Sequence, residues 1–418
     1  MNSNWFKYSV WALGLIMGIF ACSDPKEMKT HRDKHPEEIL GNPNYQAISY
    51  GGYRGLSRDT QPSLDELKED LLIMHAAGFR ILRTYNVHFP HAEKTLRAIK
   101  ELKTENDEFE MYVMLGAWIS CQAAFTELPN HQFENVANED EVKEAVRLAK
   151  EYPDIVKIIA IGNEAMVHWA ASYFVEPGII LKYVNQLQQM KSDGELSEDL
   201  WVTSSDNFAS WGGGSEDYHK EDLNALIKAV DYLSVHTYPF HDTHYNPAFW
   251  HSNDSSAAET EDIENAMNRA VDYAKQQYLS VLEYTRKLGV EKPIHIGETG
   301  WASVSQGLYG DNGSHAADEY KQALYYQKIR DWTNKDSISC FYFEAFDEQW
   351  KDPNHTDGSE NHFGLFTLDG QAKLTLWPMV DKGIFDGLRR NGNIIKKTFN
   401  GEKDSILNHI LRPTKPKR

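Results

Sequence analysis

The chain has 418 residues, of which 41% are hydrophobic and 25% charged, so it can bury a large core, and disordered or collagen-like architectures are excluded. Asp and Glu outnumber Lys and Arg by 62 to 43, giving a formal charge of −19, the wrong sign for a protein that grips a nucleic-acid backbone. The 11 Trp, 21 Tyr and 18 Phe are many for so acidic a chain and suit a cleft that meets flat apolar faces, those of sugars among them.

Lys7 and the amino terminus make the start of the chain positive, and Val10–Ala21 is an apolar run of twelve residues ending at Cys22. A bilayer-spanning helix needs about 20 apolar residues, a secretory signal only roughly 7–15. Ile19-Phe20-Ala21-Cys22 resembles the lipobox of bacterial lipoproteins, with Phe20 bulkier than that motif favours; an ordinary signal peptide with an incidental Cys is the other reading. Residues 1–21 are therefore expected to be a lipoprotein signal peptide and Cys22 the lipidation site. Ser23-Asp24-Pro25-Lys26-Glu27 resembles the surface-export signal of Bacteroidetes lipoproteins. The expected location is the outer membrane of a Gram-negative bacterium, at the cell surface, with membrane contact only through the lipid on Cys22. Residues 22–41, rich in charged residues and Pro, read as a solvated tether. Cys121 and Cys340 have no spacing that reads as a disulfide framework or zinc site; two buried thiols are favoured over a pair.

From residue 45 onward, short apolar runs alternate with amphipathic stretches. In the first helix Ser63-Leu64-Asp65-Glu66 is a capping box, Leu64, Leu67, Leu71 and Leu72 follow at helical spacing, and Gly78 closes the element. Strands are expected near Ala47–Ser49, Arg80–Thr84, Tyr112–Leu115, Ile155–Ile161, Trp201–Thr203, Tyr232–Val235, Ile294–Gly297 and Ser339–Phe343. Eight β/α units without a composition break predict one α/β domain, a single (β/α)8 TIM barrel over residues 42–390 with decorated strand-end loops; a doubly wound open sheet is the alternative. Residues 391–418 form a C-terminal extension, expected to be disordered from Pro413.

Strand four ends in Ile161-Gly162-Asn163-Glu164 and strand seven in Ile296-Gly297-Glu298-Thr299-Gly300-Trp301, each placing a carboxylate at the mouth of a barrel. Strand-end carboxylates also cap helices, but a pair across a cleft is the equipment of glycoside hydrolysis, with one protonated acid for the leaving oxygen and one ionised partner for the anomeric carbon.

Five pieces in order, Leu82-Arg83-Thr84-Tyr85, Ile161-Gly162-Asn163-Glu164, Thr237-Tyr238-Pro239, Gly297-Glu298-Thr299-Gly300-Trp301 and the run from Phe343 to Lys351, resemble glycoside hydrolase family 17, the β-1,3-glucanases of clan A. The resemblance spans residues 45–385. It implies Glu164 as acid/base, Glu298 as nucleophile and Asn163 as a donor to the sugar 2-hydroxyl. By the same resemblance Tyr238 would hold Glu298 in line, and Glu344, Glu348 and Lys351 would form a supporting cluster around the acid/base, ahead of the run from Glu360 to Phe366. Arg83 would keep Glu298 ionised or serve a structural salt bridge. Candidate sugar-binding residues are Tyr85, Trp118, Trp169, Asn207, Trp211, Trp301, Trp350 and Phe366, with Phe240, Tyr245, Phe249 and Trp250 in an aperiodic segment, residues 240–260, expected as a cleft wall.

His236, His241, His244 and His251 cluster after strand six without a recognisable ligand spacing, so no metal and no cofactor are expected. No Gly-x-Ser-x-Gly elbow or phosphate-binding loop occurs. The function implied is a retaining, endo-acting hydrolase of laminarin-type β-1,3-glucan, monomeric, with polysaccharide or oligosaccharide as partner and no nucleic acid. A β-1,3-glucan transglycosylase sharing the same covalent intermediate is the first alternative. A non-catalytic surface glycan-binding lipoprotein is the second, though it would need one carboxylate lost.

Overall fold

Every one of the eight expected runs is a strand: β1 Gln46–Ser49, β2 Phe79–Arg83, β3 Tyr112–Ala117, β4 Val156–Asn163, β5 Trp201–Asn207, β6 Leu233–His236, β7 Ile294–Gly300 and β8 Cys340–Phe343. They are parallel and each pairs with its neighbours in sequence; Ala47 and Ile48 of β1 pair with Phe341 and Tyr342 of β8, which closes the barrel and excludes the open sheet. A computed structural model describes residues 34–252 and 259–415, and the signal peptide, Cys22 and all but the last residues of the tether lie outside the described residues.

Helices α1 Leu64–Ala76, α2 His91–Glu105, α3 Ala137–Glu151, α4 Pro177–Ser192, α5 Glu221–Ala229, α6 Glu259–Lys287 and α7 Glu319–Lys335 connect the strands. The predicted box starts α1: Ser63 Oγ accepts the Glu66 N–H at 3.2 Å and Glu66 Oε2 accepts the Ser63 N–H at 2.7 Å. Because a barrel strand is buried on both faces, successive residues serve two cores. Ala47, Ile81, Met114, Ile158, Ala160 and Phe341 fill the interior with Tyr112 and Tyr232. Ile48, Leu82, Leu115, Ile159 and Ile161 pack beneath the helices. Each such aliphatic side chain contributes on the order of 1.5–3 kcal/mol of transfer free energy.

The tether ends earlier than residue 41, because Ile39 and Leu40, after the one-turn helix Pro36–Ile39, are buried against the interior layer. The C-terminal extension is likewise part of the fold. Ile395, Ile406 and Ile410 are buried, and Thr414 O accepts the Ser252 N–H at 3.2 Å, so the chain is tied down past Pro413. Arg390, in the hairpin Arg389–Arg390/Asn393–Ile394, donates to Asp70 of α1 at 2.8 Å, and Asp70 also takes Arg54 at 2.7 Å. A second unforeseen hairpin, Cys121–Gln122/Asn130–Glu134, follows β3. The expected cleft wall after β6 instead opens with a short helix, Pro239–Tyr245, that buries Phe240; Trp250 is buried as well. Cys121 and Cys340 are free and buried. Among the described residues no helix is long and apolar enough to cross a membrane.

Candidate active site

Two irregularities in the barrel ladder aim the carboxylates. On β4, Ala160 pairs with Thr203 but Asn163 with Ser205, one residue too many. On β7, Ile296 pairs with Val235 but Glu298 with His236, again one extra. Such bulges turn a strand and redirect the side chains after them. Glycine permits both: Gly162 sits at φ +85°, and a Cβ on Gly297 would collide with the Ser234 and Ser205 hydroxyls. Glu164 itself has φ +47°, a left-handed conformation that a glutamate adopts at a cost, held by its N–H bond to Ser205 O at 3.0 Å.

Glu298 is enclosed by donors. Arg83, at the end of β2 and fully buried, donates one NH1 to Glu298 Oε2 and to Gly297 O, both at 2.6 Å. Tyr85 donates to the same Oε2 at 2.9 Å, and Tyr238 donates to Oε1 at 2.6 Å. Burial alone would push the Glu298 carboxyl up, but the Arg83 charge first, then nearby His236 and the two phenols, outweigh it and hold the group below the ordinary glutamate value. The second arm of Arg83 donates to Asn163 Oδ1. A guanidinium has only donors, so this contact turns the Asn163 NH2 group away from Arg83.

Glu164 has the opposite environment. Burial and then the negative charge of Glu298 push its pKa well above the ordinary value, with Arg83 opposing and Glu360 adding to the rise. Its hydrogen-bond partner is His236, whose Nδ1 lies 3.1 Å from Oε1. Burial pushes His236 down to about 3, so its ring is neutral. Two residues beyond Glu164, the Met166 N–H donates to Asp206 at 2.7 Å; Asp206, wholly buried at the end of β5, also accepts Ser210 Oγ at 2.7 Å and the Asn207 N–H at 2.8 Å.

The cluster after β8 lies behind Phe343, at a non-proline cis bond to Glu344. Lys351 donates to Glu344 at 2.6 Å and is 3.5 Å from Glu348, with its ammonium 3.9 Å from the Phe343 ring centre. Glu348 takes Trp350 Nε1 at 2.9 Å and the Tyr53 N–H at 3.2 Å. The Phe343 ring stands edge-on to Tyr85 and Tyr238, so this cluster backs the donors of Glu298, whereas the hydrogen bond to Glu164 comes from His236.

The expected sugar platforms divide by burial. Trp211, Trp301 and Phe366 are fully buried and offer no face to a ligand. Trp211 Nε1 donates to Ser234 O at 3.0 Å, Trp301 Nε1 to Ala316 O at 2.8 Å, and Phe366 stacks on Phe346. Satisfied indole N–H groups let large rings fill the space between helices and barrel. Phe240 and Trp250 are buried too, and Phe249 stacks on Tyr273. Trp118 and Tyr85 are half-buried at the mouth, and Trp169 is 62% exposed. Asn207 Oδ1 is used by the Ala209 N–H at 3.0 Å, and Trp350 has the Arg58 guanidinium over its ring at 4.4 Å.

His236, Asp206 and Tyr173 were not singled out from the sequence for this site. For His236 a signal existed: it lies two residues before Tyr238, at the same strand end. The histidines after β6 take separate partners, His241 facing Tyr309 OH and His251 facing Thr414 O. Among the described residues no group of three or more His, Cys, Asp or Glu is arranged to hold a metal ion.

A family model described as the BtgE/BtgC glycoside hydrolase domain matches residues 47–364. Among solved structures, an endo-laminarinase from Formosa Hel1_33_131 is 60% identical, with a TM-score of 0.91 over 92% of this chain and 99% of that one. A glucan 1,3-beta-glucosidase of Arthroderma benhamiae is 26% identical over 281 residues, 65% of this chain and 73% of that protein. A probable glucan endo-1,3-beta-glucosidase, btgC, of Aspergillus terreus is 23% identical over 345 residues, 79% of this chain but 45% of that protein, so the chain spans just under half of that relative.

Proposed function

The chain belongs to the BtgE/BtgC glycoside hydrolase domain family, in line with its resemblance to glycoside hydrolase family 17, and from that membership we propose that it is an endo-acting β-1,3-glucanase that cleaves laminarin-type glucan with retention. One observation carries the mechanism: two glutamates at the mouth, one following β4 and one near the end of β7, are driven toward opposite protonation states, Glu298 below and Glu164 above the ordinary value. In the first step the ionised Glu298 attacks the anomeric carbon while Glu164 gives its proton to the departing glycosidic oxygen, leaving a glycosyl ester on Glu298. In the second, Glu164, now a carboxylate, takes a proton from water, whose oxygen displaces Glu298 with net retention. Asn163, its amide oriented by Arg83, offers its NH2 to the sugar 2-hydroxyl. His236, its Nδ1 3.1 Å from Glu164 Oε1, orients the acid's carboxyl group. Tyr85 and Trp118 line the mouth as sugar contacts.

Proton NMR of a laminarin digest, followed from the first minutes, tests the reading. The β-anomer should form first, and Glu298→Gln should abolish turnover while glucan binding persists. Early α-anomer, or normal turnover by the variant, would overturn it; growth of longer chains would reveal transfer to sugar instead of water. We further propose export and lipid anchoring through Cys22, on the strength of the apolar run Val10–Ala21. Incorporation of labelled palmitate by the full chain, lost in Cys22→Ala, is the expected result.

A further inference from the structure

The hairpin after β3 holds an exposed aromatic ring in a fixed place. Phe125 is 65% exposed and has φ +61°, beside Ala123 at φ +56°. An apolar side chain in that backbone region carries strain that its surroundings must sustain. They do so through the loop that follows Glu164: the Phe125 N–H bonds Ser172 O at 2.8 Å, the Cys121 N–H bonds Tyr173 O at 3.0 Å, and His131 stacks on Phe174 with ring centres 3.7 Å apart.

The fixed ring belongs to a group of three. Tyr173 lies 5.1 Å from Trp118 and 5.4 Å from Phe125, and Trp118 is nearly parallel to Phe125 at 6.5 Å and 21°. The inner end of this shelf adjoins the site: the Val175 N–H bonds Ala165 O at 2.6 Å and closes the Tyr173 loop onto the residue after Glu164, and the Tyr173 phenol is pushed up by burial and then by the charges of Glu164, Asp206 and Glu298. Rigid aromatic faces leading out of a cleft mark a ligand path, and their apolar faces suit the flat sides of pyranose rings in an uncharged polymer.

The topology also assigns a direction. The partners of Glu298 come from β2 and from the segment after β6, whereas the shelf grows from the loops after β3 and β4, the strands around Glu164. Glu164 must reach the oxygen that departs. We propose that Trp118, Phe125 and Tyr173 form a subsite for the β-1,3-glucan units on the leaving-group side of the scissile bond, with the hairpin supplying its outer wall. This rests on the glucanase reading above.

The test is the cleavage pattern of laminarihexaose carrying an isotope label on its reducing-end oxygen, read by mass spectrometry for wild type, Phe125→Ala and Phe125→Trp. Ratios within one digest do not depend on the fraction of enzyme folded. Losing a ring contact on the leaving side should lower the share of long labelled fragments several-fold, up to about tenfold, while the Trp variant keeps the wild-type pattern. An unchanged pattern in Phe125→Ala, or a shift toward longer labelled fragments, would overturn the proposal. A wild-type enzyme that leaves the hexaose whole would overturn the glucanase reading itself, and this subsite with it.

Discussion

The imidazole of His236 bridges Glu164 and Ser205, with Nδ1 3.1 Å from Glu164 Oε1 and Nε2 2.8 Å from Ser205 Oγ. Ser205 in turn meets Ser234 Oγ at 2.9 Å, so a buried polar chain holds the ring at both of its nitrogens. A neutral ring there orients the acid without competing with Arg83 for the charge of Glu298.

Replacing His236 with Ala should therefore damage proton delivery. With glucan, kcat should fall by about ten- to a hundredfold at nearly constant KM, a part of what general acid catalysis supplies. With a dinitrophenyl leaving group, which departs without a proton, the loss should shrink to a few-fold. Equal losses on both substrates would show that His236 acts through the fold alone.

Arg83 sets the other carboxylate. In Arg83→Met the buried Glu298 charge loses its cation, which should cost about 3–5 kcal/mol of stability by denaturant unfolding. The depressed pKa of Glu298 stabilises the fold above the ordinary carboxylate range, and that contribution is lost as pH falls through the depressed value. Without Arg83 burial dominates, so the acidic limb of kcat/KM against pH should move upward. The alkaline limb, which reports loss of the proton from Glu164, should move upward too while Glu298 stays ionised, because the Arg83 charge no longer opposes that rise.

Trp301 and Trp118 separate packing from binding. Trp301 is fully buried against Phe240, Trp250 and Tyr325, and its truncation to Ala should cost about 3–5 kcal/mol while the folded fraction keeps its KM. Trp118 is half-buried at the mouth, and its truncation should raise KM for laminarin with little change in melting temperature. A raised KM for folded Trp301→Ala would return that ring to the substrate.

The barrel was legible because hydrophobic periodicity and strand length survive in one dimension; even the capping box at Ser63 is a four-residue pattern. Glu164 and Glu298 were legible because a carboxylate after a strand and a glycine has a fixed place in a barrel. Trp211 and Trp301 were not, since a tryptophan in a strand-end loop has the same sequence surroundings whether it faces sugar or core, and only helix packing decides. His236 was hidden among four neighbouring histidines, and its partner lies 72 positions away. The Phe125 hairpin was hidden because its strands, Cys121–Gln122 and Asn130–Glu134, are short, polar and held by the loop after Glu164.

Asp206 links the acid's loop to pH. Burial, opposed by the Ser210 hydroxyl and the Met166 N–H and reinforced by Glu164, raises its pKa to about 7, against an ordinary aspartate value of about 3.9. Between those values the folded chain binds a proton that the unfolded chain has released. Stability from this group is therefore complete below the ordinary value, declines as pH rises, and is gone above about 7. Asp206→Asn removes the titration while keeping an acceptor for the Met166 N–H. Relative to wild type, the variant should gain about 4 kcal/mol between the two pH limits, read from urea unfolding at a series of pH values. Parallel stability curves would mean that three donors at 2.7–2.8 Å keep Asp206 ionised throughout, and that the turn after Glu164 is pinned by a charge at every working pH.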